Sequence, residues 1–410
     1  MPRARLAGPT FVRQASTPQL AALGPASGPT HAPAVQGPSD LLLYGAKLQS
    51  RQLVHALDHI FQSNLALQEK GGQGTPLCIW GTHGVGKTMI VEAYAEKMGW
   101  GFAYAAPAQF EEMGDLHGLP KLTEGPSGDE RTIFAPPAWV PEEEGPGILL
   151  LDDINRADDR ILRGLMQLLQ NFEMFSWKLP PKWQVVCTAN PEGGDYSVTP
   201  MDDAMLPRML HATLVFDVKA WASWATAAGV DSRGIAFVLS YPEVVVGHRT
   251  TPRSLTQFFE QIATIPDLAA SADLVRVLAE SSLDDVTVGS FMSFAMDGLP
   301  DLLEPEEILD AEDFAPVAAR LEALAGGEAG ASRVDRLSVV CTRLYLVLAQ
   351  DDYAPGPRHK ENLTAFLLSE AIPHDLRFSL HFDLVQLGHE VADLVADKRI
   401  AERVLKAVGT

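Results

Sequence analysis

Eight consecutive residues decide the fold of this chain: Gly81-Thr82-His83-Gly84-Val85-Gly86-Lys87-Thr88. They fit the pattern G-x-x-x-x-G-K-[ST] in full, in which glycines let backbone N–H groups converge on phosphate oxygens without a clash of Cβ atoms. We predict that Lys87 reaches the β- and γ-phosphates of a nucleotide and that Thr88 holds Mg²⁺ through its hydroxyl.

The residues around this loop have the pattern that a phosphate-binding loop requires. Residues 76–80 are apolar and predict a strand before the loop, and residues 88–98 predict a helix after it. The N-terminus of such a helix favours the negative charge of a phosphate group. A chance glycine turn would lack this context.

A pair of acidic residues, Asp152-Asp153, follows the apolar run of residues 148–151. At the end of a strand Asp152 can hold Mg²⁺ through water, and Asp153 can orient an attacking water molecule. The alternative is that the pair merely caps the following helix. The phosphate loop favours the first interpretation.

Strands and helices are predicted to alternate through the first half of the chain. The predicted strands are residues 76–80, 101–105, 148–151, 183–188 and 212–216, and the predicted helices are 46–69, 88–98 and 159–173. This alternation predicts a parallel sheet with helices on both faces. After about residue 217 the apolar spacing becomes helical, and it stays so to the end of the chain.

Four further stretches carry a resemblance to a known family. In chain order they are Leu149-Leu150-Leu151-Asp152-Asp153-Ile154-Asn155-Arg156-Ala157, Thr188-Ala189-Asn190-Pro191, Leu206-Pro207-Arg208-Met209 and Thr251-Pro252-Arg253-Ser254-Leu255. On these motifs residues 79–255 resemble AAA+ ATPases, and within them the MoxR-like group of the dynein-related and magnesium-chelatase-like clade. Residues 1–40 and 271–410 are not covered.

The resemblance implies a role for each motif. Asn190 would sense the γ-phosphate, Arg208 would be the arginine finger, and Arg253 would be the lid arginine that contacts nucleotide. A surface or ion-pairing role is the alternative for Arg208. Asn155 and Arg156 have either an intersubunit or a structural role.

Two positions depart from the family pattern. Asp153 stands where members usually carry Glu, so its carboxylate lies farther from the γ-phosphate and hydrolysis is expected to be slow. Pro207 replaces the usual Asp beside Arg208, which makes the position of the finger less defined.

The expected architecture is an α/β P-loop NTPase of the AAA+ type, with a three-layer core and a parallel sheet, followed by an all-α lid and an α-helical C-terminal extension. The predicted divisions are a disordered Pro/Ala-rich tail at 1–40, the nucleotide-binding core at 41–216, the lid at 217–270 and the extension at 271–410.

The resemblance also implies ATP and Mg²⁺ as ligands and a homo-oligomeric ring, most simply a hexamer, because an arginine finger acts on the neighbouring subunit's site. Such rings remodel, assemble or activate a protein, often beside a partner with a von Willebrand factor A domain. Two insertions would touch the client: residues 110–137, expected to be a hairpin that turns at 114–118, and residues 172–184, whose aromatic side chains either grip polypeptide or belong to the core.

The overall composition limits the partners. The 32 basic and 53 acidic residues give a net charge of -21, which disfavours binding to a phosphate backbone. No apolar run is long enough to span a membrane. Three widely spaced cysteines predict a reducing cytoplasm. The alternatives to a remodelling ATPase are an NTPase subunit of a restriction-like system and a nucleotide-gated scaffold that scarcely hydrolyses ATP.

Overall fold

A computed structural model of the chain describes residues 41–124, 128–193, 196–246, 249–298, 302–326, 334–350 and 353–408. The predicted tail at 1–40 lies outside the described residues. None of the described helices is both long enough and apolar enough to cross a membrane.

Ten strands occur in the described part of the chain. They are β1 (Ala46–Leu48), β2 (Leu77–Trp80), β3 (Gly101–Ala105), β4 (Leu119–Glu124), β5 (Glu130–Ala135), β6 (Gly147–Leu151), β7 (Glu173–Met174), β8 (Trp177–Lys178), β9 (Trp183–Ala189) and β10 (Leu210–Leu214). Six of them form one parallel sheet in the order β1-β10-β2-β9-β6-β3. The phosphate loop therefore leaves a central strand, β2, beside β9.

The described helices number sixteen. They are α1 (Ser50–Glu69), α2 (Lys87–Met98), α3 (Met113–His117), α4 (Asp159–Asn171), α5 (Val218–Ala227), α6 (Ser232–Ser240), α7 (Pro252–Ile262), α8 (Ala272–Ser282), α9 (Asp285–Ser293), α10 (Pro305–Leu309), α11 (Ala315–Gly326), α12 (Val334–Leu348), α13 (His359–Leu368), α14 (His374–Val385), α15 (His389–Val395) and α16 (Lys398–Val408).

The sheet is covered by helices on both faces. On one face Ile148 and Leu150 of β6 pack with apolar residues of α1 and α2. On the other face Leu149 and Leu151 pack with the buried side of α4. Because both faces are buried, β6 and β9 consist entirely of buried residues, as expected for central strands of a parallel sheet. The predicted three-layer α/β core is confirmed.

The start of α1 differs from the prediction. The sequence predicts one helix over 46–69, but residues 46–48 form β1, which pairs in parallel with β10, and α1 begins at Ser50. Gln49 and Gln52 form a capping box at this boundary. Pairing with a distant strand, which the local apolar spacing does not report, overrides the helical pattern.

The first insertion forms a hairpin, but its predicted turn is wrong. Strands β4 and β5 pair in antiparallel register from Leu119 with Ala135 to Glu124 with Glu130. Residues 114–117 of the predicted turn belong instead to helix α3, whose capping box joins Glu112 and Asp115. The second insertion contains the short antiparallel pair β7 and β8, with Phe175 between them.

The helices after residue 217 share one hydrophobic core. This core includes buried residues from Trp221 to Val404. Phe291 of α9 packs edge-on against Phe237 of α6 and Phe258 of α7, with ring centroids 5.1 and 4.8 Å apart. The predicted boundary at residue 270 therefore falls inside a shared core, and the division of this region into lid and extension stays a prediction.

Candidate functional site

The phosphate loop depends on glycine at three positions. Gly81, Gly84 and Gly86 have φ values of +156°, +74° and +98°, a backbone conformation that residues other than glycine rarely adopt. A Cβ on Gly81 would also lie 2.8 Å from the carbonyl oxygen of Leu214. The loop joins the end of β2 to α2, so the N-terminus of α2 faces the space that the loop encloses.

Lys87 is buried at the base of this loop. Its side chain is 6% exposed, and Nζ donates to the carbonyl oxygens of Gly81 at 2.8 Å and Thr82 at 3.1 Å. It also donates to Oδ1 of Asn190 at 3.2 Å. Burial lowers the pKa of Lys87 to about 8, although the negative charges of Asp153 and Asp152 oppose that shift. The ammonium group is thus poorly solvated and attracts an anion.

The carboxylate of Asp152 accepts hydrogen bonds from three hydroxyl groups. Its Oδ1 accepts hydrogen bonds from Thr88 at 2.8 Å and from Thr188 at 2.6 Å, and its Oδ2 accepts one from Tyr104 at 3.1 Å. The predicted pair Thr88 and Asp152 is therefore in direct contact. A hydroxyl and a carboxylate oxygen are ligands that Mg²⁺ prefers, so these residues fit the ion.

Asp153 has a constrained backbone and a held side chain. It adopts φ +48°, which is uncommon for a residue other than glycine, and its N–H donates to Oγ1 of Thr188 at 2.8 Å. Its Oδ1 accepts from Nδ2 of Asn190 at 2.9 Å, and its Oδ2 lies 3.4 Å from Nε of Arg156. Both oxygens of the candidate water-orienting carboxylate are thus engaged.

Asn190 links the lysine to this carboxylate, and Asn155 holds Asn190 in place. Both asparagines are fully buried. Nδ2 of Asn155 donates to the carbonyl oxygen of Asn190 at 2.8 Å, and the N–H of Asn190 donates to Oδ1 of Asn155 at 3.0 Å. Asn155 therefore has a structural contact within the subunit, while Arg156 is half-exposed and pairs with Asp153.

The lid reaches the phosphate loop through the start of α7. Thr251 caps this helix by accepting from the N–H of Ser254. A Cβ on Gly84 would lie 3.0 Å from Oγ1 of Thr251 and 3.3 Å from Cβ of Arg253. The structure therefore brings Arg253 to the loop, in the neighbourhood predicted for the lid arginine.

The remaining loop residues line its outer side. Thr82 is exposed, and Val85 packs at the edge of the core that contains α1 and α2. The ring of His83 meets Tyr196 edge-on, with centroids 5.7 Å apart. Tyr196 comes from the segment after β9, so this segment also contacts the loop.

Arg208 lies outside the hydrogen-bond network of Lys87 and Asp152. It ends the 3-10 turn Leu206–Arg208, where its guanidinium donates to Oε1 of Gln170 at 3.0 Å and to the carbonyl oxygen of Ala204. Within the described part of the chain, no hydrogen bond or ion pair joins Arg208 to Lys87 or Asp152 of the same subunit. Its role as a finger stays a prediction.

Sequence reasoning assigned no role to Thr188 of this network, and it missed Tyr104 altogether. Burial, together with the charge and the hydrogen bond of Asp152, raises its pKa to about 12, so the phenol keeps its proton and donates. No motif includes Tyr104, because it belongs to an ordinary strand. Its place in the site follows from the sheet register, which pairs β3 with β6 and so brings Tyr104 near Asp152.

Comparisons with known proteins agree with this geometry. Residues 76–209 match the family model of the AAA domain of the dynein-related subfamily. No curated protein matches the chain. With the parallel sheet and the phosphate loop, this match supports an AAA+ ATPase type, and the predicted fold class is confirmed: a P-loop AAA+ core followed by helical regions.

Solved structures of RuvB from Thermotoga maritima match the chain at low identity and low TM-score. The structure titled a Holliday junction branch migration motor is 15% identical over 77% of this chain and 82% of that chain, with a TM-score of 0.33. A variant of the same protein is 15% identical over 79% of this chain and 99% of that chain, with a TM-score of 0.34. These values assign no function.

Proposed function

We propose that this chain is a MoxR-like AAA+ ATPase that hydrolyses ATP in an oligomeric ring, most simply a hexamer, to remodel, assemble or activate a protein partner. One observation carries the proposal. Hydrogen bonds link Lys87, Asn190 and Asp153 at the ends of β2, β6 and β9, and Thr188 joins this group to Asp152 and Thr88, so that all six residues form one network. This network has the groups that phosphoryl transfer to water requires.

Binding of the triphosphate uses the loop and its lysine. The backbone N–H groups between Gly81 and Lys87 and the N-terminus of α2 bind phosphate oxygens. Lys87 exchanges its carbonyl partners for the β- and γ-phosphates, which regains the charge interaction that burial weakens.

Thr88 and Asp152 would hold Mg²⁺. When bound, the ion neutralises charge that develops on the phosphate oxygens. The Thr88 hydroxyl donates to Asp152, so its lone pairs remain directed away from that carboxylate.

Asp153 orients the attacking water and accepts its proton on a carboxylate oxygen. Asn190 holds Oδ1 of this carboxylate and also contacts Lys87, so it is placed to sense the γ-phosphate. Arg253 contributes positive charge from the lid. Arg208, which is half-buried and bonded to Gln170 and Ala204 rather than to its own loop, serves the site of the neighbouring subunit.

Two hairpins support a polypeptide as the client. Phe175, between β7 and β8, is 61% exposed and packs on His117 and Phe134, with centroids 4.9 and 5.0 Å apart. Leu119 and Leu122 of β4 are also largely exposed. In contrast, Phe172 and Trp177 of the second insertion are buried and belong to the core. Exposed apolar side chains on paired hairpins favour contact with protein.

The partner is, on this proposal, a protein with a von Willebrand factor A domain or the complex it serves. The location is the cytoplasm, where the three buried free cysteines would stay reduced.

The test is ATP hydrolysis measured across protein concentration, with molar mass recorded by light scattering on the same samples. Turnover per subunit should rise as rings form. Arg208→Ala should bind ATP normally but lose turnover by about 10²-fold or more, because a finger acts only in the transition state. Mixing Arg208→Ala with Lys87→Ala subunits should restore part of the activity.

The control is Arg276→Ala, since Arg276 is an exposed arginine of α8 in a surface ion pair with Glu280. It should leave turnover unchanged. Turnover that is independent of assembly, with Arg208→Ala as active as wild type, would contradict the shared site.

A nucleotide-gated scaffold is the second candidate function, favoured by the state of Asp153. Its short side chain is held by Asn190 and Arg156, which opposes its use as a base. For a scaffold, assembled rings would bind ATP with background turnover, and Asp153→Glu would raise the rate. Wild-type rings that turn over faster than Asp153→Glu rings would exclude this alternative.

A further inference from the structure

Tyr104 reaches the candidate metal site from an edge of the sheet. It is the fourth residue of β3 and lies opposite Leu150 of β6 in parallel register. The N–H of Asp152 donates to the carbonyl oxygen of Ala105 at 2.8 Å and extends this pairing by one residue. Because alternate residues of a strand share a face, Tyr104 lies on the same face as Leu150 and Asp152.

The phenol of Tyr104 donates to the carboxylate oxygen of Asp152 that neither threonine contacts. Thr88 and Thr188 both donate to Oδ1 of Asp152, whereas Tyr104 donates to Oδ2 at 3.1 Å. A carboxylate held on one oxygen alone can rotate about its terminal torsion, which is broad. The bond from Tyr104 on the second oxygen opposes that rotation.

We infer that Tyr104 is a positioning residue for the metal carboxylate: its hydroxyl fixes the orientation of Asp152 so that Oδ1 stays beside Thr88, and it thereby sets the affinity of the nucleotide site for Mg²⁺. This inference rests on the proposed ATPase function and names a determinant of that site. Outer partners of a metal ligand act in this way by orienting the ligand before the ion binds.

The tyrosine hydroxyl can be removed without disturbing the core. Tyr104 is 47% exposed, so about half of its surface lies outside the core. Tyr104→Phe keeps the ring and removes one hydrogen bond. A matched control exists on α2, where the hydroxyl of Tyr94 donates to Oδ1 of Asp58 at 3.0 Å, outside the candidate site.

The experiment measures binding of a fluorescent ATP analogue to the full chain, first in EDTA and then during a Mg²⁺ titration. In EDTA, wild type, Tyr104→Phe and Tyr94→Phe should bind the analogue equally. In the titration, the Mg²⁺ concentration at half-maximal enhancement should rise roughly tenfold in Tyr104→Phe, the lower end of the effect of removing an outer partner of a ligand. Tyr94→Phe should keep the wild-type midpoint.

A double substitution tests the route of the effect. In an Asp152→Ala background, Tyr104→Phe should cause no further shift, since the side chain through which it acts is gone. An additional full shift there would overturn the inference.

The outcomes distinguish a failure of the role of Tyr104 from a failure of the proposed ATPase function. If wild type binds the analogue with a clear Mg²⁺ dependence and Tyr104→Phe has the same midpoint, the role of Tyr104 is refuted and the ATPase proposal stands. If wild type binds no analogue at any Mg²⁺ concentration, the proposed function fails and the role of Tyr104 fails with it.

Discussion

Lys87 is the residue whose chemistry depends most on its surroundings. An exposed lysine has a pKa of 10.5, but burial lowers that of Lys87 to about 8. The cationic form is therefore held in a site that solvates it poorly, with two loop carbonyls and Asn190 as partners. A bound triphosphate would supply the missing negative charge.

This pKa predicts how ATP binding depends on pH. Below about pH 8 Lys87 is charged in the free protein, so affinity should be steady from about pH 7 to pH 8. Above that value the free lysine is neutral and must regain a proton on binding. The affinity should then fall by up to about tenfold per pH unit. Calorimetric titration of ATP with Mg²⁺ between about pH 7 and pH 9.5 measures the effect.

Lys87→Arg is the control, because a guanidinium stays charged across this range. Its affinity for ATP, although weaker, should not change with pH. A wild-type affinity that is equally flat to about pH 9.5 would contradict the combination of a lowered pKa of Lys87 with a contribution of its charge to binding.

The motif residues of the site could be predicted from the sequence, and their neighbours could not. Lys87, Thr88 and Asp152 follow from local patterns whose spacing is tied to phosphate and Mg²⁺ binding. The left-handed backbone of Asp153 and its pairing with Arg156 are invisible to such patterns. Tyr104 was missed because sheet register, a long-range property, brings it to Asp152.

At the scale of elements, the contact between α7 and the phosphate loop couples the lid to the nucleotide site. The first residues of α7 lie against Gly84, where a side chain would meet Thr251 and Arg253. The phosphate loop and Arg253 therefore lie close together. A change at this contact should affect nucleotide binding more than folding.

Gly84→Ala tests this coupling. Its φ of +74° makes alanine strained, and the added Cβ would lie 3.0 Å from Oγ1 of Thr251. We expect a loss of roughly 1 kcal/mol in the free energy of unfolding, and a loss of about tenfold in ATP affinity as the lid is displaced. Thermal unfolding and nucleotide titration measure the two effects.

Gly99→Ala separates strain from displacement. Gly99 caps the other end of α2 at φ +65°, and a Cβ there would meet nothing within 4 Å. It should lower stability by a similar amount and leave ATP affinity unchanged. Equal losses of affinity in both variants would mean that the lid contact at Gly84 does not contribute.

Strands and helices could be predicted from the sequence where their apolar residues follow a regular pattern. The fully apolar run of β6 and the one-sided apolar spacing of α4 each specify their type. The prediction of a helix was wrong at β1, where pairing with β10 overrides a helical pattern. The prediction was also wrong at 114–117, where Gly114 and Gly118 suggested a turn but Asp115 belongs to the capping box of a short helix.

At the scale of the whole molecule, the helices after residue 217 fold as one hydrophobic unit. Helix α12 packs against both α5 and α6, and Phe291 lies between Phe237 and Phe258. The sequence predicted a boundary near 270 from a change in composition, but it could not show which helices share a core. The lid is therefore expected to depend on the helices that follow it.

A chain that ends at residue 270 tests this dependence. It loses Phe291 and α12, so Phe237 and Phe258 become exposed. We expect the truncated chain to bind a hydrophobic dye and to lose ATP affinity by at least about tenfold, since an unfolded lid cannot place Arg253. A truncated chain with wild-type ATP affinity and no dye binding would contradict the shared core.

The proposed function requires the network around Lys87 to support ATP hydrolysis. The most direct measurement is phosphate release from ATP and Mg²⁺ by the full chain, compared with Lys87→Ala and with Lys97→Ala, which removes the same charge from the exposed far end of α2. The account predicts turnover by wild type and Lys97→Ala, and a loss of about 10²-fold or more in Lys87→Ala. Equal phosphate release by all three proteins would contradict it.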